Sequence, residues 1–187
     1  MKLTCLSLHA PFLEAAASKK RGCKLKQVSF IKPLGNENEH PGYASEHAGS
    51  SHLVDLLKSI ERSRCAKNTM VVVTYDEFGG QWDHVPPPGQ GTTTPGPHDQ
   101  WGPGTRIPAL VVSPRLRKKF AVDDTVYDTT SIMSTIERRF GLPPVATRDA
   151  DSADLTGVFG NRFAHAKHGH NNDAHGHHKQ QGHKQKG

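Results

Sequence analysis

Apolar residues fall into a few short groups separated by long polar stretches. The strongest group is Leu53, Leu56, Leu57 and Ile60, at i, i+3, i+4 and i+7, one stripe of a helix. It predicts a helix over 49–64, with Ser50 or Ser51 able to cap its start. Ile132, Ile136 and Phe140 predict a second over 128–140, capped by Asp128 or Thr129 and stopped by Gly141-Leu-Pro-Pro144. Leu13, Ala16 and Ala17 predict a short one over 12–20. Apolar runs at 27–31, 69–75 and 107–112 predict strands, and Pro108 is tolerable near the start of the last. Strand, loop, helix and strand in that order is the rhythm of a parallel sheet with crossover helices, so the expected class is α/β.

The polar stretches divide the rest. Residues 35–43 are too rich in Asn, Gly and Pro for regular structure. Residues 85–104 are dense in Pro and Gly, and irregular loops of that length are usually functional or mobile. Beyond Phe163 the chain becomes His, Lys, Gln, Asn and Gly, which cannot build a core and is expected to be disordered. The expected organisation is a poorly defined 1–11, a domain over 12–163 and a His-rich tail over 164–187.

Composition changes this picture little. A length of 187 residues allows one domain with a real core, or part of a larger one. The mean hydropathy of -0.64 is low, much of the deficit lying in the tail. The tail also supplies +3 of the net charge of +6, so a basic groove is not needed, and with no reading motif nucleic-acid binding is not expected. Three cysteines, Cys5, Cys23 and Cys65, form no CxxC pair and are expected to be isolated thiols. No run approaches the roughly 20 apolar residues of a transmembrane helix. The N-terminus is a poor match to a signal peptide, because His9, Pro11 and Glu14 interrupt its apolar segment.

The chemistry concentrates where the strand over 69–75 ends in Asp76 and Glu77, just before Gly79-Gly80. Neighbours in an ideal strand point to opposite faces. At a strand end turning through glycines both can converge on one ion, and hard oxygen ligands suit Mg²⁺, Ca²⁺ or Mn²⁺, or Zn²⁺ with histidine's help. The plain alternative is two solvated carboxylates. His40 is expected at the same edge, able to meet a metal or a phosphoryl oxygen or to be inert. Asp83, His84, His98 and Asp99 flank the long loop and suit orienting bonds around a site. Arg106 suits an anion clamp or a sheet-edge cover. Trp82 and Trp101 are expected to pack the loop down. The seven tail histidines suit loose metal binding.

Four strings then resemble a known family: Phe30-Ile-Lys-Pro-Leu-Gly-Asn-Glu-Asn-Glu-His-Pro-Gly-Tyr-Ala-Ser45, Thr74-Tyr-Asp-Glu-Phe-Gly-Gly-Gln-Trp-Asp-His-Val-Pro-Pro-Pro88, Gly102-Pro-Gly-Thr-Arg-Ile-Pro-Ala-Leu-Val-Val-Ser-Pro114 and Thr130-Ser-Ile-Met-Ser-Thr-Ile-Glu-Arg-Arg-Phe-Gly-Leu-Pro-Pro144. They are similar to the bacterial phosphoesterases, which include phosphatidylcholine-type phospholipases C and acid phosphatases. Gly96-Pro-His-Asp-Gln-Trp101 and Asp128-Thr-Thr-Ser131 look closer to the acid phosphatase branch. The resemblance implies an alkaline-phosphatase-like three-layer fold with a mostly parallel sheet, a divalent metal of unknown identity at Asp76 and Glu77, phosphate contact by His40, and hydrolysis of phosphate esters. It also implies that the family's nucleophile lies in an N-terminal half not represented here: Ser29, Ser45 and Ser50 occupy no such position. The chain is therefore expected to be a C-terminal part of low or no activity alone, with an upstream-encoded half as a candidate partner. Full-length relatives are typically periplasmic or secreted, and the location of this chain is left open. The alternatives are a metal-binding protein working through the tail and a non-functional remnant.

Overall fold

The computed structural model describes residues 10–42, 44–88 and 103–162. The helices are α1 (Ala10–Ala17), α2 (Glu46–Glu61), α3 (Thr130–Phe140) and α4 (Thr147–Asp151). The strands are β1 (Val71–Thr74) and β2 (Ala109–Val112), and 3-10 segments cover Ala66–Asn68 and Leu155–Arg162. Among the described residues, no helix is long and apolar enough to cross a membrane. The tail and His98 lie outside the described residues.

The three predicted helices form, with shifted starts. α2 begins earlier than its apolar stripe because Ser45, not Ser50 or Ser51, caps it: the Ser45 hydroxyl accepts from the Ala48 amide at 3.1 Å. The helix runs through Gly49, which is buried with the Glu39 side chain pressed where a Cβ would stand. In α3 the cap is Asp128, whose Oδ1 accepts from the Thr130 amide at 2.7 Å, while the Thr129 side chain makes no cap bond. Gly141 ends α3 in the left-handed conformation (φ 66) and Leu142 N–H returns to the Glu137 carbonyl at 2.9 Å.

Two expectations of the sheet are corrected. Residues 27–31 form no strand and are largely exposed, and among the described residues none pairs with them in a ladder. β1 and β2 pair antiparallel, with Val71 opposite Val112 and Thr74 opposite Ala109, not parallel. A parallel pair needs a crossover, and no helix is described within the 75–108 connection. The described elements are thus a mixed helix–strand arrangement with one two-stranded ribbon.

A third correction concerns the cysteines. Cys23 and Cys65 form a disulfide across 42 positions. It ties the irregular segment after α1 to the end of α2, where Ala16, Leu56, Ile60 and Cys65 are buried together as α1 packs on α2. The pairing escaped the sequence because odd, widely spaced cysteines carry no connectivity signal.

The second core is built from polar groups as much as apolar ones. α3, α4 and the 155–162 segment pack around Leu155 and Phe159. The Thr135 hydroxyl donates to the Ser131 carbonyl at 2.6 Å and accepts from the Leu155 amide at 2.9 Å. Asp128 receives Arg148 Nε at 3.0 Å and the Ser152 hydroxyl at 3.2 Å. Burial works against the charged Asp128, but bonds from Thr130 and Arg148 outweigh it and hold its carboxyl below the usual range. Glu137 and Asp149, both buried, accept from the same Val145 amide at 3.2 and 2.7 Å. Burial, then the neighbouring Asp149, pushes Glu137 up. Against burial, the Val145 amide and Glu137 hold Asp149 down.

Candidate functional site

Antiparallel pairing has a direct consequence for the site. The C-terminal end of β1 and the N-terminal end of β2 lie at the same end of the ribbon, so Tyr75, Asp76 and Glu77 emerge where 103–108 arrives. The Thr74 hydroxyl bonds the Pro108 carbonyl at 2.9 Å across that end. The turn after Glu77 uses two left-handed glycines, Gly79 (φ 64) and Gly80 (φ 72). Pro41 lies 3.3 Å from where a Gly79 Cβ would be. The loop carrying His40 is therefore packed against the turn that follows the acidic pair.

Asp76 is open to solvent, its side chain 76% exposed, and its Oδ2 meets Lys32 Nζ at 3.0 Å. The Lys32 ammonium lowers the Asp76 pKa. Glu77 accepts from the Gly79 amide at 2.7 Å. His40 Nδ1 lies 2.8 Å from the Pro41 carbonyl, and its amide donates to Asn38 Oδ1 at 3.0 Å. Asp83 is clamped by Arg106 through Nε at 2.6 Å and Nη2 at 2.8 Å, which holds its carboxyl far below the usual range and raises Arg106. The fork of Arg106 is thus engaged by a carboxylate within the chain. His84 Nδ1 stands 3.4 Å from Asp83 Oδ1. Trp82, expected to pack the loop down, is instead 85% exposed.

Three contributors escaped sequence reasoning: Lys32, Glu39 and Tyr75. Glu39 adopts a left-handed backbone (φ 62), uncommon for a side chain of its size. Its carboxylate accepts a hydrogen bond from the Tyr75 hydroxyl. That bond, with burial, pushes the Tyr75 pKa up to about 12. Glu39 therefore joins the His40 loop to the residue preceding Asp76. No spacing in the sequence signals this, because the partners are 36 positions apart.

The donor set decides what the site can hold. Among the described residues no three His, Cys, Asp or Glu side chains gather as metal ligands. Asp76 and Glu77 supply carboxylates from adjacent positions, one paired with Lys32 and one folded onto Gly79. These residues alone do not form a complete metal cradle.

Comparison with known proteins gives the family. The model of the Phosphoesterase family matches residues 9–143. The chain belongs to the phosphoesterase family. Among curated phosphoesterases, it is 34% identical to phospholipase C B of Mycobacterium tuberculosis, the match covering 76% of this chain and 31% of that protein. It is 29% identical to non-specific phospholipase C6 of Arabidopsis thaliana, over 81% of this chain and 34% of the relative. It is 30% identical to the non-hemolytic phospholipase C of Pseudomonas aeruginosa, over 72% and 23%. The phosphoesterase chain thus spans about a third or less of these relatives. All three are named as phospholipases C, and they carry nothing specific to the acid phosphatase branch.

Proposed function

We propose that this chain forms the acidic wall of a phosphate-ester hydrolase, acting on the phosphodiesters that its relatives' names indicate. One observation carries the reading: Asp76, Glu77, Lys32 and the His40 loop occupy one open end of the ribbon. Carboxylates for a cation and a lysine for a phosphoryl oxygen are what an ionised phosphate ester requires there. β1 and β2 belong, in this reading, to a larger three-layer sheet of which the chain holds one part. The missing ligands of a divalent ion come from outside the described residues.

Catalysis by the chain alone is expected to be slight or absent. The Ser45 hydroxyl is already engaged as the α2 cap, and Ser29 and Ser50 lie exposed in a coil and on α2. The test is calorimetry with Mn²⁺ and inorganic phosphate. Phosphate uptake should require the cation and disappear in Asp76→Asn. Phosphate binding that ignores both would overturn the reading. Turnover of p-nitrophenylphosphorylcholine by the isolated chain, abolished by Asp76→Ala, would instead overturn the statement that no nucleophile is present here.

A further inference from the structure

Thirteen of the 24 Lys and Arg residues lie in three short segments, 19–26, 58–67 and 115–119, which contain a single acid, Glu61. The sequence spreads these segments over a hundred positions. The fold brings them to one place. The Cys23–Cys65 disulfide sets the first against the second, with Cα atoms 4.7 Å apart. Arg115 joins the third to the second, its Nε donating to the Lys67 carbonyl at 2.9 Å and its Nη2 to Asn68 at 2.6 Å. All thirteen side chains are exposed. Among the described residues, the lysines and arginines in salt bridges are Lys32, Arg106, Arg138 and Arg148, none of the thirteen, although Arg117 acts electrostatically on Asp123. A cavity of about 540 Å³ opens within the cluster, lined by Lys19, Arg62 and Arg64 with Ala16, Ala17 and Ser59.

Exposed apolar side chains flank these cations. Phe120 follows Lys118 and Lys119 directly, fully exposed and in a left-handed backbone (φ 52). Val122 is 87% exposed, and beyond Lys26 lie Val28 and Phe30, the latter 75% exposed. Cations beside projecting Phe and Val suit the boundary between charged headgroups and acyl chains. Valines have no flat face on which a nucleobase could stack, which favours lipid over single-stranded nucleic acid.

We propose that the three segments form one docking surface for an anionic phospholipid membrane. The surface does not depend on the hydrolytic reading, since it uses neither Asp76 nor Glu77. The test is co-sedimentation of the full chain, at a pH above the histidine range, with vesicles of phosphatidylcholine alone or with phosphatidylglycerol added. Binding should require the anionic lipid and weaken in high salt. Lys118→Glu with Lys119→Glu should cost roughly 25-fold or more in affinity, at about fivefold per cation. Lys19→Glu with Lys20→Glu should do the same independently. Phe120→Ser should weaken binding and leave its salt dependence unchanged. Equal binding to neutral vesicles, indifference to both charge reversals, or binding of a single-stranded oligonucleotide with none to vesicles would overturn the proposal.

Discussion

The ribbon end and the α3–α4 unit are built on opposite plans. Around α3 and α4, polar side chains are buried and answer one another: Asp128 with Arg148 and Ser152, Thr135 with Leu155, Glu137 with Asp149. At the ribbon end the charges face water, Lys32 and Asp76 pair in the open, and Tyr75, Phe78 and Trp82 are all exposed. The first region spends its polar groups on its own architecture. The second makes its pairs at the surface, where solvent and a ligand can reach them. Charge count alone does not separate structure from site; burial and partner identity do.

The sharpest way to break the contrast is the disulfide, which secures the segment leading to Lys32 and the His40 loop. Cys23→Ser is expected to cost about 3–4 kcal/mol, from the loop the bond closes in the unfolded chain, read as a lowered urea midpoint. Next comes Asp128→Ala. It removes the α3 cap and strands Arg148, and about 2 kcal/mol is expected by chemical denaturation. Thr135→Val keeps the shape but leaves the buried Leu155 amide without its acceptor, for about 1–2 kcal/mol. At the ribbon end, Lys32→Ala should change stability by less than about 0.5 kcal/mol, because the pair is solvent-screened. A loss as large as that of Asp128→Ala would erase the distinction between the regions.

Tyr75 sharpens the comparison further. Its raised pKa means that the folded chain keeps the phenolic proton more tightly than the unfolded one. The Glu39 bond therefore contributes fully below the unfolded tyrosine value near 10. It is lost as pH rises through about 12. Ultraviolet titration should show a late tyrosine that titrates earlier in Glu39→Gln, while Tyr127, raised chiefly by burial, stays where it is.

Sequence patterning located what is periodic or contiguous. The Leu53–Ile60 stripe marked α2, Ile132–Phe140 marked α3, and the valine runs marked β1 and β2. The acidic pair was visible because it abuts a strand. What stayed hidden rests on long-range pairing: the antiparallel register, Cys23 with Cys65, and Glu39 with Tyr75. α4 has no apolar period of its own and is placed by side-chain bonds to α3, while the Leu155, Val158 and Phe159 spacing covers little more than one turn between Gly157 and Gly160. Arg106 was legible as a residue but not in its use, since a clamp on Asp83 and a clamp on a ligand look alike in sequence.

The amide of Val145, shared by Glu137 and Asp149, carries one last implication. With Glu137 raised and Asp149 lowered, the native pair tends to retain a single proton between two carboxyls. Between the ordinary glutamate value and its raised folded value, Glu137 holds a proton in the folded chain that the unfolded chain releases, so folding there takes a proton from the buffer. Raising the pH through the Glu137 value drains that contribution, and lowering it through the Asp149 value drains the opposite one. The heat of unfolding should accordingly depend on the buffer's own ionisation enthalpy, and Glu137→Gln should change that dependence by removing its share.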